Sequence, residues 1–196
     1  MGFFATTTFV ALLAGAAPAF ALAESASLDC ARARGGVEKL ICSDAALAAL
    51  DRRLEDAYGE ALARATGAAV GALQGEQHGW IRGRDDCSKE HDVRACVERH
   101  YADRIVRLQV AWQLVPTGPR ATFTCAGEPA GTLVATFYET DPPAVRLERG
   151  AEHVLALQRP TLEGARYEGP NVTFSAKGED AGLEWKGAKL TCRMTR

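Results

Sequence analysis

Apolar residues recur at every third or fourth position along much of the first half of the chain, which is the spacing of an amphipathic helix. This periodicity predicts long helices over residues 44–65 and 93–112, a third helix over residues 70–81, and a short helix over residues 37–42. The first half is therefore predicted to be a small helical unit. The two clearest apolar stripes consist of Leu47, Leu50, Leu54, Tyr58 and Leu62, and of Val93, Val97, Tyr101, Ile105, Leu108 and Trp112.

The third predicted helix contains a glycine at every fourth position, from Gly67 to Gly83. Such a spacing is typical of a groove that allows a second helix to approach closely. The alternative is a weak helix, because each interior glycine costs about 1 kcal/mol relative to alanine. Polar neighbours such as Gln74, Glu76 and Arg82 argue against a segment embedded in lipid.

The second half changes to a period of two, in which apolar and polar residues alternate over short runs. Glycine and proline turns separate these runs at intervals of about ten residues, which predicts an antiparallel barrel or sandwich. Residues 160–167 have no such alternation and are predicted to be a polar loop. The alternating apolar positions are Leu133, Ala135 and Phe137, Val145 and Leu147, Leu155 and Leu157, Val172, Phe174 and Ala176, Leu183 and Trp185, and Leu190, Cys192 and Met194.

The two patterns meet at residues 115–120, where Pro116, Gly118 and Pro119 lie close together. Prolines neither continue a helix nor pair within a central strand, so this segment is predicted to be a linker. The predicted fold class is α+β in two domains. A disulfide-stapled helical domain covers residues 24–114, and an antiparallel β-barrel of about eight strands covers residues 121–196.

Residues 1–23 have the features of a secretory signal peptide, namely a short apolar run followed by Ala21-Leu22-Ala23, although the segment before the run has no lysine or arginine. The apolar run is too short to span a membrane. A periplasmic or secreted protein is therefore expected. No cysteine follows the cleavage site directly, so no lipid anchor is expected at that point.

An oxidising compartment favours disulfides for the chain's 6 cysteines. Cys125 lies near the first predicted strand and Cys192 lies on the last one, so a bridge between them would tie the two ends of the sheet. For a loop of this length the stabilisation is about 4 kcal/mol.

The four cysteines of the helical half allow more than one pairing. We prefer Cys30–Cys42 with Cys87–Cys96, since each pair closes a short loop. The alternative joins Cys42, at the start of one long helix, to Cys87, beyond the end of its neighbour. A zinc site formed by Cys87, Cys96, His91 and His100 was also considered, but its spacing matches no common zinc motif, and we expect neither a metal nor a cofactor.

Charge and motifs exclude several classes of function. The formal net charge is -2, and neither half has the basic stripe that nucleic-acid binding requires. There is no Gly-x-Ser-x-Gly motif and no context for a Ser-His-Asp triad. No feature of the chain requires an enzyme.

The first half resembles the LprI-type domain, a family named for a lysozyme-inhibitor lipoprotein. The resemblance spans almost all of residues 28–110. Its matching positions are Cys30, Val37 to Cys42, Leu47, Leu50, Asp51, Leu54, Tyr58, Gln77, Trp80, Ile81, Arg84, Cys87, Cys96, Tyr101, Arg104, Ile105 and Leu108.

The second half resembles MliC, the membrane-bound inhibitor of c-type lysozyme, an eight-stranded antiparallel barrel. The matching positions are Phe123 to Cys125, Gly164 to Tyr167, Phe174, Lys177, Gly178, Ala181, Leu183 and Cys192. The resemblance implies that a barrel loop enters the lysozyme cleft and that a serine and a lysine contact the two catalytic carboxylates. The implied lysozyme-binding residues are Lys177, Thr161, Glu163, Gly164, Arg166 and Tyr167.

The serine position departs from the family pattern, because Glu163 precedes Gly164 where the family usually has serine. A carboxylate directed at two carboxylates would repel them, and Thr161 is an alternative source of the hydroxyl. The function expected from the resemblance is inhibition of a host c-type lysozyme by occlusion, without turnover. The alternative is a non-inhibitory envelope adaptor that recognises peptidoglycan or an endogenous wall lytic enzyme.

Overall fold

The computed structural model describes residues 27–127, 129–162 and 164–195. The predicted signal peptide and Glu163 lie outside the described residues. The first part of the described chain is helical, which confirms the predicted helical half. Its helices are α1 (Gly36–Ser43), α2 (Ala45–Arg64), α3 (Ala68–Asp85) and α4 (Val93–Ala111), with short 3-10 turns at Cys30–Arg32 and Asp86–Lys89.

The long helices α2 and α4 form the centre of the helical part. The side chain of Asp44 begins α2 by accepting hydrogen bonds from the backbone N–H groups of Ala46 and Leu47 at 2.9 and 3.0 Å. Both apolar stripes face one core, in which Leu47 and Tyr101 are fully buried. The period of 3.6 residues therefore identified the packed faces of these two helices correctly.

The glycines of α3 do not form a packing groove. A Cβ atom added at Gly71 or Gly75 would meet nothing within 4 Å, and at Gly83 it would meet only the His100 ring, at 3.7 Å. The groove interpretation is therefore wrong. Only Leu73, Gln77 and Arg84 of α3 are buried; Gly71 and Gly75 are exposed, and Gly79 and Gly83 are half-buried.

The second part of the chain is a closed barrel of eight antiparallel strands in which each strand pairs with its neighbours in sequence and β1 pairs with β8. This architecture confirms the predicted barrel. The strands are β1 (Thr117–Ala126), β2 (Gly131–Tyr138), β3 (Ala144–Arg149), β4 (Glu152–Arg159), β5 (Ala165–Gly169), β6 (Val172–Lys177), β7 (Asp180–Trp185) and β8 (Ala188–Thr195).

Alternating side chains of all eight strands fill the barrel interior. The rings of Phe123 and Phe174 meet edge to face with centroids 5.6 Å apart, and both side chains are almost fully buried. A barrel filled in this way has a packed core. The barrel ends and the outer wall are therefore the surfaces available for binding.

Two segments predicted to be loops lie partly in strands. Residues 117–120 of the predicted linker form the start of β1, and the register to β2 shifts between Thr117 and Arg120. This irregularity accommodates Pro119, which has no N–H to donate. The predicted loop at residues 160–167 is shorter than expected, because Ala165 begins β5 by pairing with Ala176. Ala165 and Tyr167 do alternate with Arg166 and Glu168, but Gly164 and the polar residues before it favoured a loop.

The three disulfides are those that the sequence led us to prefer. Cys30–Cys42 and Cys87–Cys96 lie in the helical part, with sequence separations of 12 and 9 residues. Cys125–Cys192 joins paired positions of β1 and β8 across 67 residues. Each bridge stays within either the helical part or the barrel.

The helical part contacts the barrel through α4. Val106 is fully buried in a small apolar cluster with Ala144 and Leu157 of the barrel. An ion pair of 3.3 Å joins Asp103 to Arg159 beside this cluster. Whether each part also folds on its own remains a prediction. Among the helices that the structure describes, none has the length and apolar character needed to cross a membrane.

Candidate functional site

The lysine predicted to bind lysozyme lies at a barrel end. Lys177 is the last residue of β6 and pairs with Asp180 across a two-residue hairpin. Gly178 takes the first loop position with a φ of +63°, a conformation that a side chain disfavours. The Lys177 side chain is exposed, and its ammonium makes no hydrogen bond or ion pair with any residue that the structure describes.

The β4–β5 loop lies beside this hairpin at the same barrel end. Because Ala165 pairs with Ala176, the preceding Gly164 lies next to Lys177. Gly164 has a φ of +67°, and a Cβ atom there would be 3.1 Å from the Ala176 carbonyl oxygen. Glycine is therefore required at this approach of the two segments. Thr161, on the same loop, is exposed to solvent.

The other two predicted contact residues have different surroundings. Arg166 lies on the outer wall of the barrel, opposite Ser175, and its Nε is 2.8 Å from Glu168. Tyr167 points inward and is only 7% exposed, with its ring edge to face with Phe137 at 5.9 Å. Burial raises the pKa of the Tyr167 hydroxyl. Tyr167 therefore supports the loop from inside the barrel, and its predicted contact with lysozyme is untested.

Two exposed apolar residues that the sequence analysis did not propose as binding residues lie near the hairpin. Leu162, on the β4–β5 loop, is 104% exposed, and Met194, on β8, is 36% exposed. The backbone N–H of Met194 donates to the Glu179 carbonyl in the hairpin at 2.7 Å. Leu162 is an apolar residue within the predicted polar loop of residues 160–167, and this position could have indicated an exposed contact residue. Met194 continued an alternating pattern and was predicted to point inward.

The charges around the hairpin are mixed. Arg193 on β8 lies 3.9 Å from Asp180 and 4.0 Å from Glu179. These acidic groups therefore have a cationic neighbour other than Lys177. This barrel end thus presents the Lys177 ammonium, which has no partner among the described residues, together with the exposed side chains of Leu162 and Met194. The hairpin acids lie near Arg193.

The possible zinc cluster does not have free thiols. Ligand atoms of Cys87, Cys96 and His100 lie within 4.8 Å of one another, and His91 is not part of this group. However, the two sulfurs are bonded to each other. A disulfide offers no thiolate to a metal ion, so the cysteines have a structural role here.

Comparison with protein-family models assigns both parts of the chain. Residues 30–108 match the model of the lysozyme inhibitor LprI. Residues 123–191 match the model of the membrane-bound lysozyme-inhibitor of c-type lysozyme, MliC. The second match includes Thr161, Gly164 and Lys177, and thus the barrel end described above.

Relatives from two mycobacteria match across both parts at once. Lipoprotein LprI of Mycobacterium tuberculosis and Lipoprotein LprI of Mycobacterium bovis are each 34% identical to this chain over 170 residues. The matched region covers 86% of this chain and 84% of each relative. The chain therefore belongs to the LprI family of lysozyme inhibitors, with an MliC-type domain as its second part.

Proposed function

We propose that this protein inhibits a c-type lysozyme by inserting the barrel end formed by the β4–β5 loop and the Lys177 hairpin into the active-site cleft. The observation that carries the proposal is the exposed ammonium of Lys177, which pairs with no described residue and lies beside the two-residue turn between β6 and β7. Lysozyme of this class uses two carboxylates for catalysis, so its cleft presents the complementary charge. Inhibition of this kind is occlusion, and the inhibitor performs no chemistry.

The surroundings of Lys177 suit this role energetically. Among the described residues no ion pair of Lys177 would have to break first, so with respect to them the ammonium loses only its hydration on entering the cleft. Leu162 is fully exposed in the free protein, and burying a leucine side chain contributes about 1.5–3 kcal/mol. Lys177 would then supply charge recognition, while Leu162 supplies apolar contact area.

The sequence at position 163 bears on the strength of inhibition. Glu163 stands where the family usually has serine, and a carboxylate close to the lysozyme acids would weaken binding. We propose that Thr161 supplies the hydroxyl contact instead. Gly164 and Arg166 would border the contact, and Tyr167 would hold the loop in place from inside the barrel.

The decisive experiment replaces Lys177 by alanine and measures lysozyme activity on cell walls by turbidity. Truncating one member of a charge pair buried in an interface costs about 2–5 kcal/mol, so we expect inhibition to weaken at least about tenfold. Lys189→Ala is the matched control, because Lys189 is an exposed lysine near the other end of the barrel. Unchanged inhibition by Lys177→Ala would show that the hairpin does not enter the cleft.

The alternative function is an envelope adaptor that binds peptidoglycan or a wall lytic enzyme without inhibiting lysozyme. The observation that favours it is Glu163 at the serine position. The substitution Glu163→Ser separates the two proposals. If the unmodified protein does not inhibit and Glu163→Ser does, the barrel is an inhibitor fold with another use.

We further propose that the protein acts outside the cytoplasm. Three disulfides in a chain of this size are typical of an oxidising compartment, and the predicted signal peptide agrees with export. Fractionation of cells that produce the full chain tests this proposal. Recovery of the reduced protein from the cytoplasm would contradict it.

A further inference from the structure

A cleft of about 690 Å³ lies between the helical part and the barrel, next to the buried contact of Val106. Helix α4 forms one wall, and strands β3 and β4 contribute to the other. The cleft is distant in sequence from the Lys177 hairpin, and none of the residues proposed to contact lysozyme lines it. It is therefore a separate candidate site.

The cleft is basic, although the chain as a whole is slightly acidic. Arg104, Arg107 and Arg146 line it, and Glu76 is the only acidic residue among its described lining residues. The formal net charge of the whole chain is -2. A local excess of cations within an otherwise acidic protein favours an anionic ligand, because concave walls concentrate the electrostatic field.

Arg104 has hydrogen-bonding capacity that its neighbours do not use. Its side chain is only 9% exposed, and its Nε donates to Gln77 Oε1 at 3.0 Å. Its Nη1 donates to Glu76 Oε2 at 3.3 Å. Its Nη2 is buried without a hydrogen-bond acceptor among the residues that the structure describes. An unsatisfied buried donor on a charged group is costly, so an anion at this point would compensate it.

A second guanidinium on the barrel wall has the same property. Arg146 places its Nη2 3.2 Å from Glu148, whereas its Nε is buried without an acceptor among the described residues. Arg104 of α4 and Arg146 of β3 therefore both line the cleft, and each has one buried donor without an acceptor among the described residues. The exposed Arg107 also lines the cleft, and its guanidinium can donate two parallel hydrogen bonds to a carboxylate or phosphate group.

Aromatic residues complete the lining. Trp112 follows the last turn of α4 and Tyr138 ends β2, and both border the cleft. Aromatic side chains provide flat apolar surface for a ring, and each also has a polar group at its edge. The combination of arginines and aromatics is suited to a ring that carries one acidic group.

We propose that this cleft binds a small ligand in which a carboxylate or phosphate group is attached to a sugar-sized ring. The anionic group contacts Arg104, Arg107 and Arg146, and the ring lies against Trp112 and Tyr138. The site is formed jointly by the helical part and the barrel. Occupation of the cleft would therefore stabilise the contact between them.

The test uses three probes with the same ring: glucuronate, glucose 1-phosphate and glucose. Binding to the full chain is measured by calorimetry and by the indole N–H signal of Trp112 in nuclear magnetic resonance spectra. We expect saturable binding of at least one acidic probe and at least about tenfold weaker binding of glucose. The two acidic probes distinguish a carboxylate site from a phosphate site.

Arg107→Gln is the informative variant, because Arg107 is exposed and its replacement should not disturb the fold. It should weaken binding of the acidic probe about tenfold and leave lysozyme inhibition unchanged. Arg82→Gln is the matched control, since Arg82 is an exposed arginine on α3 that does not line the cleft. Arg104→Lys keeps the positive charge but loses the planar guanidinium with its several donors, so it should also weaken binding of the acidic probe.

Three results would overturn the proposal. One is the absence of saturable binding for both acidic probes. Another is equal affinity for glucose, which would show that the cations are not used. The third is an equal loss of binding in Arg82→Gln, which would indicate only general attraction of anions to the surface. Because inhibition is measured separately, none of these results depends on the proposed action on lysozyme.

Discussion

The two parts of the molecule stabilise their cores by different means. Four of the five buried polar or charged residues that the structure describes lie in the helical part, namely Asp51, Gln77, Arg84 and Arg104. The fifth, Thr136, is the only buried polar residue among the described residues of the barrel. The helical core is thus specified by polar contacts as well as apolar packing, whereas the barrel core is almost entirely apolar.

The polar contacts of the helical part form a connected chain across three helices. Tyr101 on α4 donates to Asp51 on α2 at 2.8 Å, and Arg84 on α3 donates to the Tyr101 hydroxyl at 3.1 Å. The Arg84 guanidinium also lies 5.5 Å from the centre of the Trp80 ring. Burial raises the pKa of the Tyr101 hydroxyl, so it remains a donor at neutral pH.

This difference follows from the two kinds of backbone. Helices satisfy their backbone hydrogen bonds internally, so apolar stripes alone allow neighbouring helices to slide or rotate. We infer that the polar chain selects one arrangement of α2, α3 and α4. In a closed barrel the hydrogen bonds between strands already determine the register, and the core needs only shape and apolarity.

The largest expected effect concerns the disulfides. Replacing Cys125 and Cys192 by serine should lower the free energy of unfolding by about 4 kcal/mol, because the bridge closes 67 residues. Replacing Cys87 and Cys96, which are 9 residues apart, should cost about 3 kcal/mol. Denaturant unfolding measures both variants. If loss of the Cys87–Cys96 bridge lowered the free energy of unfolding more than loss of Cys125–Cys192, the entropy of the unfolded chain would not explain the relative stabilisation.

The second prediction breaks the polar chain at Asp51. Its carboxylate accepts hydrogen bonds from Tyr101, Ser27 and the Leu28 backbone. Bonds to a charged group contribute about 1.5–3 kcal/mol, so Asp51→Ala should cost at least about 2 kcal/mol, measured by urea unfolding followed by helical circular dichroism.

Two control variants sharpen this second prediction. Asp56→Ala removes an exposed carboxylate from the same helix and should change stability by less than about 0.5 kcal/mol. Thr136→Val removes the hydroxyl from the buried polar residue of the barrel and should cost less than about 1 kcal/mol. If the Asp51 and Thr136 variants lost equal stability, the contrast between the two cores would be wrong.

The smallest expected effect is a pH dependence at the start of α1. The backbone N–H groups of Arg34 and Gly35 donate to Glu38 and lower the pKa of its carboxyl below 4.5. The folded pKa is therefore below the unfolded one, so the stabilisation is present above about pH 4.5 and is lost as the pH falls through the folded pKa. Amide protection in α1 should decrease in acid.

Glu38→Gln is the control for this pH effect, because glutamine keeps an acceptor but does not titrate. The acid-dependent part of the exchange in α1 should disappear in this variant. In the barrel, the Lys186 ammonium and the Trp185 indole N–H lower the pKa of Glu152, as the backbone N–H groups lower that of Glu38. The hydrogen bonds between strands should nevertheless keep the barrel amides protected from exchange in acid. If the barrel amides lost protection at a higher pH than those of α1, the contrast between the two parts would be wrong.

Much of the fold could be predicted because periodicity reports which face of an element is buried. The stripes of α2 and α4 and the alternation of five of the six predicted runs identified the core face in this way. In β4 the alternation fell on Leu155 and Leu157, which pack outside the barrel near Val106, whereas Ala156 lies in the barrel core.

Residues 165–169 were missed because Gly164 and the polar residues before it placed most of them in the predicted loop. Lys177 was identified through the family resemblance, whereas Leu162 and Met194 emerged only once their exposure was known.

The sequence by itself determined the helical and barrel halves, the preferred disulfide partners and the lysine at the hairpin, because each depends on local spacing or on a recognisable motif. Only the tertiary structure decided that the glycines of α3 form no packing groove, that Tyr167 belongs to the core, and that Arg104 and Arg146 line one cleft. These features depend on contacts between residues far apart in the chain. Local periodicity carries no information about which distant surface an element will meet.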